Sequence, residues 1–113
     1  MWRIRVSARF SAAHQIRDHG GRCEQVHGHN YRVEVTVSSD TLSPPGMIAD
    51  FATVRTRLKA ILPDHRMLNE VYDFNPTAEN LARRFYEEMR RDFPVTGVTV
   101  WEDDDSAAEY SVA

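Results

Sequence analysis

Residues 27 to 37 constrain this chain more than any other stretch. His27, His29, Tyr31, Val33, Val35 and Val37 alternate with Gly28, Asn30, Arg32, Glu34 and Thr36. Side chains of a strand point to opposite faces in turn, so the pattern predicts a half-buried β-strand running to about Ser38. One face of it builds a core at the far end and carries two metal-capable imidazoles at the near end. Gly28 leaves room on the opposite face, where a larger side chain would crowd whatever approaches. Trp2, Ile4, Val6, Ala8 and Phe10 alternate in the same way and predict a first strand. Between the two, His14 to Glu24 is polar and contains Gly20-Gly21, the composition of a long loop.

Two strands with a shared apolar face need a second layer to cover it. Ser43-Pro44-Pro45-Gly46 is a turn signal, and Asp50 follows as a helix N-cap. Phe51, Val54, Leu58, Ile61 and Leu62 recur at near-helical spacing until Pro63 stops the run. Residues 64 to 76 read as an irregular connection. A second helix starts at Thr77, its N-cap, with Ala78, Leu81, Ala82, Phe85 and Met89 on one stripe. Beyond Pro94, Val98 and Val100 alternate into a third strand with Glu102 at the same parity, and Ala108 to Val112 form a short fourth. The expected fold is α+β, a β-β-α-α-β-β antiparallel sheet with two helices on one face, in a single domain of residues 1–113.

The formal charge is −3 and the arginines are scattered, which excludes a polycationic nucleic-acid surface. No apolar run resembles a signal peptide or a membrane span. The single cysteine has no internal disulfide partner, as in a reducing compartment, and a cytoplasmic location is expected. A small-molecule partner is therefore expected, with neither nucleic acid nor membrane. A chain of 113 residues builds a deep cavity more readily between subunits than within one, so oligomerisation is expected.

In Cys23-Glu24-Gln25-Val26-His27-Gly28-His29 the only cysteine precedes the two imidazoles by four residues. Zinc held by three imidazoles keeps one position open for water or substrate, which separates a catalytic site from a closed structural one. His14, directly after the first strand, is the preferred third ligand over His19, which sits mid-loop, and His65. Set against this, a His-x-His pair is also simply two polar residues on a strand. Cys23 is a candidate base, since a nearby cation favours its thiolate; a lone cysteine is more often a small buried hydrophobe. Asp64-His65 can act as a proton relay, the carboxylate fixing the imidazole's tautomer, or be no more than a cap beside a solvated histidine. Glu102 falls on the inward parity at a strand end, where a carboxylate needs a partner. Asp103, Asp104 and Asp105 follow it and are expected to face away from a pocket.

Phe10-Ser11-Ala12-Ala13-His14, Cys23-x3-His27-Gly28-His29-Asn30-Tyr31, Gly46-Met47-Ile48-Ala49-Asp50-Phe51, Asp64-His65-x2-Leu68-Asn69, Pro76-Thr77-Ala78-Glu79-Asn80 and Glu102 through Tyr110 occur in order along the chain. Together these blocks resemble the family of 6-pyruvoyltetrahydropterin and 6-carboxytetrahydropterin synthases. The resemblance implies the tunnelling fold, in which trimers close a barrel and stack into a homohexamer. It implies zinc on His14, His27 and His29, with 7,8-dihydroneopterin triphosphate as substrate. It gives Asp64 and His65 a relay role beside Cys23, and gives Glu102 the anchoring of the pterin ring, with Thr77 and Glu79 bordering the pocket. The acid run after Glu102 departs from the family, which more often has threonine or serine there.

The three-residue spacer in Cys23-x3-His27 looks like the 6-carboxytetrahydropterin synthases, lyases that release acetaldehyde and triphosphate on the route to queuosine and other deazapurines. Glu24-x2-His27 instead resembles the branch that forms 6-hydroxymethyl-7,8-dihydropterin for folate, with glutamate as base, so the two motifs overlap here. A 6-pyruvoyltetrahydropterin product is a third option. A cupin reading of His27, His29 and Glu34 fails on parity, because Glu34 faces the other way. A non-enzymatic zinc or pterin-binding module would need Cys23 as a fourth ligand.

Overall fold

A computed structural model describes residues 1–112, except for the side chain of Cys23. Its framework is the antiparallel pair β1 (Trp2–His14) and β2 (His27–Ser39), matched along their whole length from Trp2 opposite Ser39 to His14 opposite His27. The first strand thus runs past Phe10, where apolar alternation weakens, because β2 supplies backbone partners for Ser11 through His14. Then come α1 (Phe51–Ile61), β3 (Arg66–Met67), α2 (Leu68–Val71), α3 (Ala78–Met89), β4 (Val95–Trp101) and β5 (Ala107–Ser111). The sheet order is β3-β1-β2-β4-β5, with β3 parallel to β1 and every other pair antiparallel. Among the described residues, no helix is long and apolar enough to cross a membrane.

The α+β class holds, with two additions to the expected order. Residues 64 to 76 are not wholly irregular. Arg66 and Met67 pair with Ala12 and Ala13 on the extended end of β1, and one helical turn follows, burying Leu68 completely. Two residues of strand and one turn of helix are too short to show a period. The sheet is mixed rather than purely antiparallel for the same reason.

The helices cover one face. Val6, Ala8, Phe10 and Ala12 of β1 and Tyr31, Val33, Val35 and Val37 of β2 point under α1 and α3 and are buried. Phe10 stacks on Tyr31 with ring centroids 4.6 Å apart and meets Phe85 of α3 edge-on at 6.0 Å. The other face is polar and carries Arg5, Arg32, Glu34 and Thr99, with Arg32 lying 4.9 Å over Trp101.

Both helix starts are capped as expected. Asp50 accepts from the Ala52 N–H and Thr77 from the Asn80 N–H. The stripe on α1 is narrower than its sequence suggests, because Val54 and Leu58 are fully buried while Phe51 is 55% exposed. Phe51 is the first helical residue, and more than half of it is open to solvent. Replacing Leu58 by alanine is therefore expected to cost about 2–5 kcal/mol and Asp50→Ala about 1 kcal/mol in urea unfolding. Equal costs would contradict this division between core and cap.

Candidate metal centre and substrate cleft

The β1–β2 register puts His14 directly across from His27, and His29 two residues on shares their face. One nitrogen from each of the three rings lies within 4.8 Å of the others, a spacing that can hold a metal ion. The rings meet edge to face, with centroids 4.5 to 5.0 Å apart. His14 is fully buried, and His27 and His29 are partly so. His19 is exposed in the loop and stands outside this group.

Backbone carbonyls set the protons on two of the rings. His14 Nδ1 lies 2.8 Å from the Pro76 oxygen, and His27 Nδ1 lies 2.7 Å from the Gln25 oxygen. A carbonyl only accepts, so each Nδ1 carries hydrogen and, in the neutral ring, each Nε2 carries a lone pair. Those two Nε2 atoms nevertheless face each other at 3.0 Å. Two lone pairs at that distance repel unless a proton or a cation lies between them. The third nitrogen, His29 Nε2, is buried with no hydrogen-bond partner, an arrangement that is costly unless something fills it.

A shared proton is a poor solution for His14. Burial pushes its pKa below the usual 6.5, outweighing the opposing pull of the Pro76 carbonyl and Glu102, and its two histidine neighbours lower it further. A cation bound by neutral imidazoles satisfies all three nitrogens without protonating any of them, so the residues fit a metal. Glu102 adds negative charge, its carboxylate oxygens lying 4.0 Å from His14 Nε2 and 3.9 Å from His29 Nε2. Tyr31 belongs to the same corner, its hydroxyl 3.1 Å from His14 Nδ1, and burial pushes its pKa well above the phenol range.

Glu102 also lines a cleft of about 170 Å³ with Ala78, Glu79 and Ser106. It sits just past β4, where its N–H donates to the Ser106 oxygen at 3.1 Å and fixes the turn. The structure thus brings Glu79 and Glu102 into one cleft, with the Glu102 carboxylate also close to two of the imidazoles. The Thr77 hydroxyl is taken up by its capping bond at 3.1 Å, and the residue does not line that cleft. Asp103, Asp104 and Asp105 are exposed and stand outside its lining.

Asp64 and His65 are placed at the opposite edge of β1. Asp64 Oδ1 accepts from the Ser11 N–H at 2.9 Å, and its Oδ2 lies 3.0 Å from His65 Nδ1. The Ser11 N–H, and after it His65, hold the Asp64 carboxyl below its usual range. His65 adopts a left-handed backbone at φ 58°, fixed by its own N–H donating to the Ser11 oxygen at 2.6 Å. Its side chain is 83% exposed, and it stands outside the group of three imidazoles. Gly28 lines the same open hollow as His65, where a Cβ would meet only the Ala12 oxygen at an ordinary 3.6 Å. Glu24 ends the short turn Arg22–Glu24, and its Oε1 accepts from the Gly20 N–H at 2.8 Å. The Cys23 thiol lies outside the described side chains.

Three participants escape a reading of sequence alone: the Pro76 carbonyl, the Gln25 carbonyl and the Tyr31 hydroxyl. Tyr31 shares the parity of His27 and His29, which is its one sequence signal. Backbone carbonyls leave none.

The profile of the family described as 6-pyruvoyl tetrahydropterin synthase matches residues 3–113. The chain is 36% identical, over 97% of its length and 93% of the relative's, to a 6-carboxy-5,6,7,8-tetrahydropterin synthase of Synechocystis. It is 31% identical, over 95% of each chain, to a dihydroneopterin monophosphate aldolase of Pyrococcus furiosus. Its fold is shared with the solved Caenorhabditis elegans 6-pyruvoyl tetrahydropterin synthase, at a TM-score of 0.86 and 24% identity over 99% of this chain and 96% of that one.

The lowered pKa of His14 carries a pH dependence. Above 6.5 the ring is neutral in both folded and unfolded chains. Below it the unfolded chain binds the proton more readily, so the metal-free protein should lose stability until the pH reaches the lower folded value. Urea midpoints of chelator-treated protein should fall between pH about 7.5 and about 5, and less steeply in His14→Gln. Identical slopes in the two proteins would remove His14 as the cause.

Proposed function

We propose that this chain, which belongs to the 6-pyruvoyl tetrahydropterin synthase family, is a zinc-dependent carbon–oxygen and carbon–carbon lyase. It converts 7,8-dihydroneopterin triphosphate to 6-carboxytetrahydropterin, releasing acetaldehyde and triphosphate, on a deazapurine route such as that to queuosine. The observation that carries this reading is the position of Glu102. Its carboxylate lies within 4.0 Å of two ligand-type nitrogens while lining the cleft that also holds Glu79. Metal chemistry and ring recognition therefore meet at one residue.

His14, His27 and His29 would hold the zinc. When bound there, zinc supplies Lewis acidity that lowers the pKa of substrate hydroxyls and stabilises negative charge as it develops. Glu102 receives adjacent N–H donors of the pterin edge in a bidentate pair, and Glu79 borders the ring. Thr77 supports the pocket wall through its helix cap. Cys23 takes a proton from the substrate side chain, and Asp64 keeps His65 in the tautomer that relays it. An exposed dyad in the turn before an edge strand works in a dry site only when another surface covers it. This supports a homohexamer, a dimer of trimers built from one domain of residues 1–113. The assembly is read as cytoplasmic.

A second reading is favoured by the Pyrococcus relative, which aligns over nearly the full length of both chains. In it Glu24 is the base and the product is 6-hydroxymethyl-7,8-dihydropterin, alone or beside the carboxy product. Cys23 and Glu24 sit on adjacent backbone positions and reach different atoms. A 6-pyruvoyltetrahydropterin product has less support, because the loop before His27 is short.

Zinc analysis should find one ion per chain, with affinity lowered at least about 100-fold in His14→Ala, His27→Ala and His29→Ala, and unchanged in His19→Ala. Full zinc occupancy in His14→Ala would reject the ligand set. Loss of zinc in Cys23→Ala would point instead to a closed structural site.

Product analysis separates the two bases. Cys23→Ala should lower acetaldehyde formation by about 100-fold or more while zinc stays bound, and Glu24→Ala should spare it. Retention of acetaldehyde in Cys23→Ala with its loss in Glu24→Ala would reverse the assignment.

A further inference from the structure

We propose that Asn69 and Asn75 are positioning residues, each clamping one backbone unit of the loop that leaves the metal centre. The proposal rests on the lyase reading for its effect on turnover, though not for its geometry. β3 pairs with β1 only as far as Ala13, and α2 then turns the chain away. Beyond that point side chains replace the ladder. Asn69 Oδ1 accepts from the Gln15 N–H at 2.8 Å, and its Nδ2 donates to the Gln15 oxygen at 2.9 Å. Asn75 does the same for Arg17, with both bonds at 2.9 Å.

Each amide thus satisfies both polar groups of one residue, as a neighbouring strand would, and the clamped residues are two apart, as on a strand edge. Asn75 is itself held, its backbone carbonyl accepting from the Thr77 N–H at 2.8 Å and from Asn80 Nδ2 at 3.0 Å. Its neighbour Pro76 is the residue whose carbonyl sets the His14 tautomer. One short segment therefore orients a ligand imidazole and fastens the start of the loop that carries Cys23 and Glu24. An ordinary surface asparagine makes no such two-point contact. Aspartate cannot replace it, because a second carboxylate oxygen would face the carbonyl that Nδ2 now meets.

Asn69→Asp and Asn75→Asp test this, since each keeps one acceptor oxygen and replaces the donor by a second, charged acceptor. Hydrogen exchange of the metal-free proteins should accelerate about tenfold in the segment 15–25 and remain unchanged in α3. Steady-state kinetics of the zinc-loaded proteins should show kcat lowered about tenfold or more with KM within about twofold, because the loop's groups are misplaced while the ring site is intact. Asn69→Ser and Asn75→Ser, which lose both bonds without adding a charge, should do the same and exclude repulsion as the cause. Unchanged exchange over 15–25 would overturn the clamp, and altered exchange with unchanged kcat would overturn the positioning role. If the unmodified protein leaves 7,8-dihydroneopterin triphosphate intact, the lyase reading fails, while the exchange data still judge the clamp.

Discussion

The antiparallel register of β1 on β2 is the constraint from which the site follows. With His14 opposite His27, Ala12 falls opposite His29, and the remaining apolar residues of both strands share the face under the helices. A slip of one residue would turn one strand's set to the polar face, exposing its core residues and scattering the imidazoles together. Burial of Val6, Phe10, Tyr31 and Val33 therefore aligns the three imidazoles, although none of the four belongs to that group. The register is secured by hydrophobic burial, worth about 1.5–3 kcal/mol for each large side chain, rather than by interactions among the histidines.

Those interactions taken alone oppose folding. Two nitrogen lone pairs facing at 3.0 Å and a third nitrogen buried without a partner are costs that the core must offset. Local strain of this sort is found at functional sites because the surroundings over-determine it. Here the Pro76 and Gln25 carbonyls hold two rings in tautomers that turn the lone pairs inward. Glu102 supplies negative charge beside them. Every one of these features is unfavourable for an empty core and favourable for a cation.

The sequence displays what has a period and hides what does not. Both long strands, both capped helices and the shared face of His27, His29 and Tyr31 are legible because burial alternates with the geometry of each element. The nearness of His14 follows once β1 is carried past Phe10, a step that apolar alternation alone does not justify, since Ser11 and Ala13 are small. Arg66–Met67 and the turn Leu68–Val71 are invisible because they are shorter than any repeat they obey. The meeting of Glu79 and Glu102 is a tertiary event between a helix start and a strand end 23 positions away in number. Parity marked Glu102 as inward, but only packing chose its neighbour.

Ser11 ties Asp64 and His65 to the same framework. Its N–H and its carbonyl receive Asp64 and His65, so the dyad is fastened to the strand that ends in His14. His29 lines the same open hollow as His65, so the dyad and the imidazole group border one space. Ser11, Ala13 and Asn30 line that hollow too, whereas His14 is fully buried. The strand therefore fixes where the dyad stands relative to the three imidazoles, and the hollow they share opens to solvent beside the exposed side chain of His65.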